Sequence, residues 1–396
     1  MHRLNYAEWS VAEYASALAA ILSGRVQTGA AVKRLRDRIG DVLDCEHVYL
    51  VNAGRTAIRI ALQVFQQRAP ERNCVIIPAY ICPAVIEAVK ACGLTPISVD
   101  IDDDLNIRTE LVAEAIDRRT LAVIAAHMYG APAKIAELER SCRAEGVFLI
   151  DDAAQVVGVP HQGRFLGRFG DAGVISFAQS KSVVTGVRGS GGVLLVNNSD
   201  LVASAREKMS GLQPATGRLR QFVHFVLRYR WAAYTGLPAY YCSRVLDRLF
   251  GSQTNKDYFI PARMSNLDAT IALQQFNKID TLRRERMRLS RLYFDALAAV
   301  PDVVFPQYAP DIYLSRILCL LPPSVDLPKV RERLRKRGVI TRRGYKAYDP
   351  KSQAPKARSV AERLLEVPSR SAMTQQDIHE VCRALRDVLS KAERCN

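Results

Sequence analysis

Val174-Ile175-Ser176-Phe177-Ala178-Gln179-Ser180-Lys181-Ser182 carries the chain from a short apolar strand into a polar loop that presents a lysine. Upstream, Val147-Phe148-Leu149-Ile150-Asp151-Asp152-Ala153-Ala154-Gln155 ends in the same way on a pair of acids. Both strands are continuously apolar rather than alternating, the pattern of strands buried on both faces. In open parallel sheets ligands bind beyond the carboxyl ends of the strands, so Asp152 is expected to face that crevice. Ser180, Ser182, Thr185 and Gly186 impose no helical period around Lys181, which places it on an irregular loop.

Working outward, the same kind of strand recurs at 48–51, 74–78, 96–100, 121–125 and 192–196. Apolar residues at helical spacing lie between them. Helices are expected from Ser10 to a break at Ser23-Gly24, and over 31–43, 57–66, 83–92 and 133–144. Such alternation implies an α/β fold, with a mainly parallel sheet between two helical layers. From about residue 280 the pattern changes to a long basic helix over 281–299, a strand over 313–320, and helices near Val330 and Gln375. The expected division is therefore a large domain over 1–280 and a smaller α+β domain over 281–396.

The strand at 48–51 runs into Asn52-Ala53-Gly54-Arg55-Thr56 and then a helix. Amides at a helix N-terminus, the Thr56 hydroxyl and Arg55 can meet a phosphate dianion, with Ser176 as a second donor. The turn is neither GxGxxG nor a P-loop, so a dinucleotide or nucleoside triphosphate fits poorly. An amine, a phosphate anchor and an acid are what pyridoxal 5′-phosphate requires of a protein. Lys181 would form the Schiff base, Asp152 would keep the pyridine nitrogen protonated, and Gln155 would bond the phenolic oxygen. Taken singly, each has a plainer reading. Asp152 could be a helix cap, Lys181 a solvated lysine, and the Gly54 turn an ordinary strand-to-helix connection.

Composition narrows the classes further. A chain of 396 residues exceeds one simple core, and its ordinary apolar and charged fractions argue against disorder. Its 9 cysteines are scattered without a CxxC pair, which suits buried thiols of a reducing compartment rather than disulfides or a metal site. Glu8 and Glu13 near the start do not fit a signal peptide, and no apolar run is long enough to cross a bilayer. The expectation is a cytoplasmic protein. A formal charge of +16 favours anionic partners.

In order, Ser23-Gly24, Asn52-Ala53-Gly54-Arg55-Thr56-Ala57, Ile77-Pro78-Ala79-Tyr80, Val99-Asp100-Ile101-Asp102, His127-Met128-Tyr129-Gly130, Asp151-Asp152-Ala153-Ala154-Gln155, Ser176-Phe177, Gly191-Gly192 and Arg263-Met264-Ser265 resemble the DegT/StrS-type sugar aminotransferases. The resemblance implies fold type I of the pyridoxal-phosphate enzymes and a homodimer with active sites at its interface. It also implies amino transfer, usually from glutamate, to a keto sugar attached to a nucleotide. By this match Gly54, Arg55, Thr56 and Ser176 hold phosphate. Cys82 stands where the family places an aromatic ring over the cofactor, and Pro261 where an Asn reaches the neighbouring subunit. Arg342-Arg343-Gly344-Tyr345 replaces a His-rich motif near the sugar.

The segment 211–257 is longer than the family's connection and rich in arginine and aromatic residues. Leu219, Phe222, Val223 and Val226 share one helical face, while Arg220, His224 and Arg228 form a stripe on another. It reads as a helical hairpin that packs on the dimer or covers the site. The sharper expectation is contact with an anionic membrane surface, at the inner membrane, or with a lipid-linked substrate; no nucleic-acid motif accompanies the charge. Two alternatives to transamination are a sugar dehydratase, which typically has His in place of the lysine, and a binding protein that keeps the fold without turnover.

Overall fold

The computed structural model describes residues 8–179, 181–187, 189–227, 260–300, 303–308 and 312–392, together with His2, Leu4 and Val245. Two helices, α1 (Val11–Leu22) and α2 (Ala30–Leu43), precede β1 (Val48–Val51) and α3 (Gly54–Arg68). Alternation follows through β2 (Cys74–Pro78), α4 (Pro83–Ala91), β3 (Thr95–Val99), α5 (Thr109–Ala115), β4 (Thr120–Ala126), α6 (Ile135–Ala144) and β5 (Phe148–Asp152). A short hairpin, β6 (Pro160–His161) and β7 (Arg164–Phe165), leads to β8 (Ala172–Ser176) and β9 (Gly192–Val196). Next come α7 (Val202–Ser210), β10 (Gln213–Pro214), α8 (Arg218–Phe225), β11 (Ala262–Arg263) and α9 (Asn266–Asn277). The remaining elements are α10 (Ile279–Ala298), β12 (Ile317–Leu320), α11 (Leu327–Lys336), β13 (Arg342–Arg343), α12 (Pro355–Arg363), β14 (Leu364–Val367) and α13 (Gln375–Ala392).

The fold is α/β with a large, mainly parallel sheet. The chain divides into two compact units. The unit that bears Lys181 comprises 6–70 and 150–279; the second comprises 1–5, 71–149 and 280–396. In the lysine-bearing unit the strand order is β10-β11-β1-β9-β8-β5. β8 runs parallel to β5 and antiparallel to β9. An apolar cluster joins Trp9, Ala17 and Ala20 with Val184, Val187, Phe225, Leu267 and Ile271.

The start of α1 has a local cause. Ser10 gives its amide and its hydroxyl to the buried Glu13 carboxylate at 2.8 and 2.6 Å, which closes a capping box. Lys278 approaches the same carboxylate. The outer face of α1 is apolar, with Val11 82% and Leu22 78% exposed beside Leu18.

In the second unit β4, β2 and β3 are parallel neighbours; β2 and β4 are buried throughout, as strands covered on both faces must be, while β3 is partly exposed. A separate antiparallel sheet has the order β12-β14-β13. One face of it packs into an apolar core with α10, α11 and α13, through Ile317, Cys319, Leu365 and Val367. The strand expected over 313–320 is confined to β12. Upstream of it Ser315 gives its amide and hydroxyl to the Tyr129 carbonyl at 2.8 and 3.0 Å, and this segment leaves the ladder with β14.

Two local readings also change. α3 starts at Gly54, so Gly54, Arg55 and Thr56 form its first turn rather than a preceding loop. On α8 the buried residues are Arg218, Gln221, His224 and Phe225, while Leu219, Val223 and Leu227 are exposed. His224 therefore lies inside instead of on an outward basic stripe, because α8 turns Arg218 toward a buried acid. Beyond Leu227 the segment 211–257 falls, apart from Val245, outside the described residues.

Candidate active site

Successive strand residues point to opposite faces, and this separates two acids that look alike in sequence. Asp151 accepts the amides of Gly167 and Phe169 at 2.7 and 3.0 Å, so its carboxylate orders the 167–169 turn. Glycine is required nearby, since a Cβ on Gly173 would lie 1.8 Å from the Gly167 carbonyl oxygen. Asp152, on the other face, is buried and accepts the Ala154 amide at 3.0 Å. Gln155 closes the same turn and is also buried.

The cradle is built by β1, the first turn of α3 and the end of β8. Asn52 is its hub. Its Oδ1 accepts the Thr56 hydroxyl at 2.7 Å and the Ala262 amide at 3.2 Å, and its Nδ2 donates to the Ile260 carbonyl at 2.9 Å. The two contacts to the 260–262 segment bracket Pro261. Gly54 meets Ser176 so closely that a Cβ on Gly54 would lie 3.1 Å from the Ser176 Cβ. A Cβ on Gly192 would lie 2.5 Å from the Ala53 carbonyl carbon and the Gly54 nitrogen. Backbone, not side chain, therefore lines this turn. Arg55 and Thr56 are buried beside it, and the Thr56 hydroxyl hydrogen is committed to Asn52.

Lys181 is half-buried and lies in the loop between β8 and β9. Its amide donates to the Ala178 carbonyl at 3.2 Å. The Ser182 hydroxyl reaches the Gln155 carbonyl at 3.0 Å, which ties the lysine loop to the Asp152 turn. Thr185 gives its hydroxyl to the Ser190 carbonyl at 2.7 Å and its amide to Phe177 at 3.0 Å. Ser180 lies outside the described residues.

Lys181, Asp152, Gln155, Gly54, Arg55, Thr56 and Ser176 all lie in the lysine-bearing unit, with the lysine loop tied to Gln155 and Gly54 against Ser176. Cys82 belongs to the second unit, where it precedes Pro83 at the start of α4. A tyrosine set that sequence reasoning did not single out lies in that unit. The hydroxyls of Tyr80 and Tyr129 meet at 2.8 Å, and Tyr80 accepts the Tyr345 amide at 3.0 Å. The Tyr129 and Tyr345 rings stack at 6.0 Å, and the Arg316 guanidinium lies 5.7 Å from the Tyr129 centroid. Burial pushes the Tyr345 phenol up to about 12 against the pull of Arg316, and raises Tyr80 and Tyr129 as well. A Cβ on Gly344 would lie 2.0 Å from the Tyr80 hydroxyl. That glycine, next to Tyr345, was the available signal.

The lysine-bearing residues suit a pyridine aldehyde phosphate. An amine, a buried carboxylate, a buried serine and the first turn of a helix lie in one unit, with a glycine where a side chain would press on Ser176. A model of the DegT/DnrJ/EryC1/StrS aminotransferase family matches residues 10–386. The chain belongs to this family.

GDP-perosamine synthase of Vibrio cholerae is 24% identical over 274 residues, covering 69% of this chain and 64% of that protein. The chain thus spans less than two thirds of that relative's length. Helicobacter pylori PseC, an aminotransferase involved in the biosynthesis of pseudoaminic acid, superposes with a TM-score of 0.78 at 15% identity, over 98% of this chain and 99% of that one. The aminotransferase TlmJ from Streptoalloteichus hindustanus does so at 0.78 and 22% identity over 99% of each. These likenesses establish the fold type I architecture.

Proposed function

We propose that the protein transfers an amino group, with pyridoxal 5′-phosphate, from glutamate to a keto sugar attached to a nucleotide. The observation that carries this reading is the tie from Ser182 to the Gln155 carbonyl, which joins the lysine loop to the turn of the buried acid within a family of aminotransferases. When bound, the cofactor supplies an electron sink conjugated to the substrate amine. Lys181 would hold it and, once substrate displaces it, would be the base that takes the proton from the carbon losing nitrogen and delivers one to the carbon gaining it. Asp152 holds a proton on the ring nitrogen, and Gln155 orients the ring through its phenolic oxygen. The first turn of α3, with Arg55, and the Ser176 hydroxyl bind the phosphate; Thr56 shapes their floor through Asn52.

A homodimer is part of the proposal, and the apolar outer face of α1 supports it, since exposed apolar patches mark association surfaces. Residues 281–396 would act as its small domain. The test is spectroscopic. The purified protein should carry a visible absorbance that changes on adding glutamate, and borohydride reduction should fix the cofactor on Lys181. A spectrum indifferent to glutamate, or reduction that leaves Lys181 unmodified, sinks the reading.

A further inference from the structure

The loop that carries Lys181 is buried along Val183, Val184, Thr185 and Val187. Two groups from distant parts of the same unit stand against it, and one of them bonds its backbone. Trp9, ahead of α1, donates its indole N–H to the Val184 carbonyl at 2.7 Å. The Trp9 ring lies 5.0 Å from Phe225 and stacks at 6.1 Å with Phe222, both on α8. Arg218, the first residue of α8, clasps Asp268 with two bonds of 2.6 Å. The Ser265 hydroxyl donates to the same carboxylate at 2.6 Å. The Nη2 of Arg218 stands 3.8 Å from the point a Gly186 Cβ would occupy.

A buried ion pair is weak evidence for stability, because desolvation offsets its attraction. Its placement against the lysine loop gives it another use. With the Ser182 tie to Gln155, the loop is held at 182 and 184, and the Arg218 guanidinium stands beside Gly186. A lysine stem is flexible, so the part of its placement the protein can fix is the backbone it springs from.

We propose that Trp9 and Arg218 are positioning residues for Lys181, and that α8 is the scaffold on which they are mounted. This rests on the cofactor role given to Lys181 above. It assigns the opening of the long 211–257 segment to the active-site framework.

Two variants test it. Trp9→Phe keeps an aromatic ring and loses the indole donor together with part of the buried ring. Arg218→Met combined with Asp268→Leu removes the ion pair without stranding a charge. Hydrogen–deuterium exchange of the peptide over 182–190 is measured on the cofactor-free protein. The loaded protein is then followed for cofactor loss on dilution and for the pH midpoint of its visible absorbance. The expected result is about five- to tenfold faster exchange confined to the loop, the effect of one lost hydrogen bond, with faster cofactor loss and a moved midpoint. Unchanged loop exchange in both variants overturns the proposal. Exchange that rises throughout the unit, with an unmoved midpoint, also overturns it, since the residues would then be structural alone. Failure of borohydride to tag Lys181 in the unaltered protein would overturn the proposed function, and the positioning role with it. The cofactor-free exchange would still respond in that case, which separates the two failures.

Discussion

The lysine loop and the tyrosine set of the second unit are both buried and polar, yet they are held by opposite means. Around Lys181 the ties end on backbone carbonyls, those of Ala178, Gln155, Val184 and Ser190. Around Tyr80 they run mostly between side chains. Phenol meets phenol, and Arg316 and Arg342 share the buried Glu366, at 3.5 Å for Arg316 and 2.8 Å for the Arg342 Nε. A loop anchored through its backbone can change side chains and keep its path. A cluster of side chains fixes its own composition. Substitutions in the first region should therefore separate function from stability, and substitutions in the second should not.

The largest expected effect tests that separation directly. Lys181→Ala should lower amino transfer by about 10⁴-fold or more while leaving the thermal midpoint in place, read by a transamination assay beside a melt. Residual transfer near the unaltered rate would break the comparison. Next comes Arg218→Met, which leaves Asp268 buried without its cation and should cost about 3–5 kcal/mol at neutral pH.

Burial already raises the Asp268 carboxyl above its usual range, against the pull of Arg218. The folded state then binds protons that the unfolded chain has released, so stability falls as pH rises through that window. Without Arg218 the window moves higher. Denaturant unfolding should accordingly show the loss shrinking as pH is lowered, and a pH-independent loss would refute the assignment.

In the tyrosine set the effects are smaller and fall on stability. Gly344→Ala pushes a methyl into the Tyr80 hydroxyl and should cost about 1–3 kcal/mol, measured by chemical unfolding. Tyr80→Phe removes the contacts to Tyr129 and to the Tyr345 amide and should cost about 1 kcal/mol. A loss of activity in Tyr80→Phe with full stability would sharpen the comparison differently, by giving the cluster a share in the chemistry.

The same contrast explains what could be read in advance. Asp152, Ser176 and Lys181 follow continuous apolar strands, so local pattern and the geometry of parallel sheets located them. Gly54, expected in the loop before the helix, is instead its first residue, where the helix tolerates glycine and needs it beside Ser176. Nothing local separates Asp151 from Asp152; only the amides of Gly167 and Phe169 do. His224 is expected on a basic stripe, yet it lies buried on the face of α8 that also carries Arg218, whose partner Asp268 is far along the chain. The tyrosines at 80, 129 and 345 converge only through the fold, and Gly344 beside Tyr345 is the one local sign of it.

The outer face of α1 has a consequence for how this protein responds to dilution. In the proposed dimer, a helix whose Val11, Leu18 and Leu22 are covered by a second copy makes folding a matter of mass action. The melting temperature would then climb with protein concentration, and a charge introduced at Leu18 would flatten that dependence before it touched the chemistry.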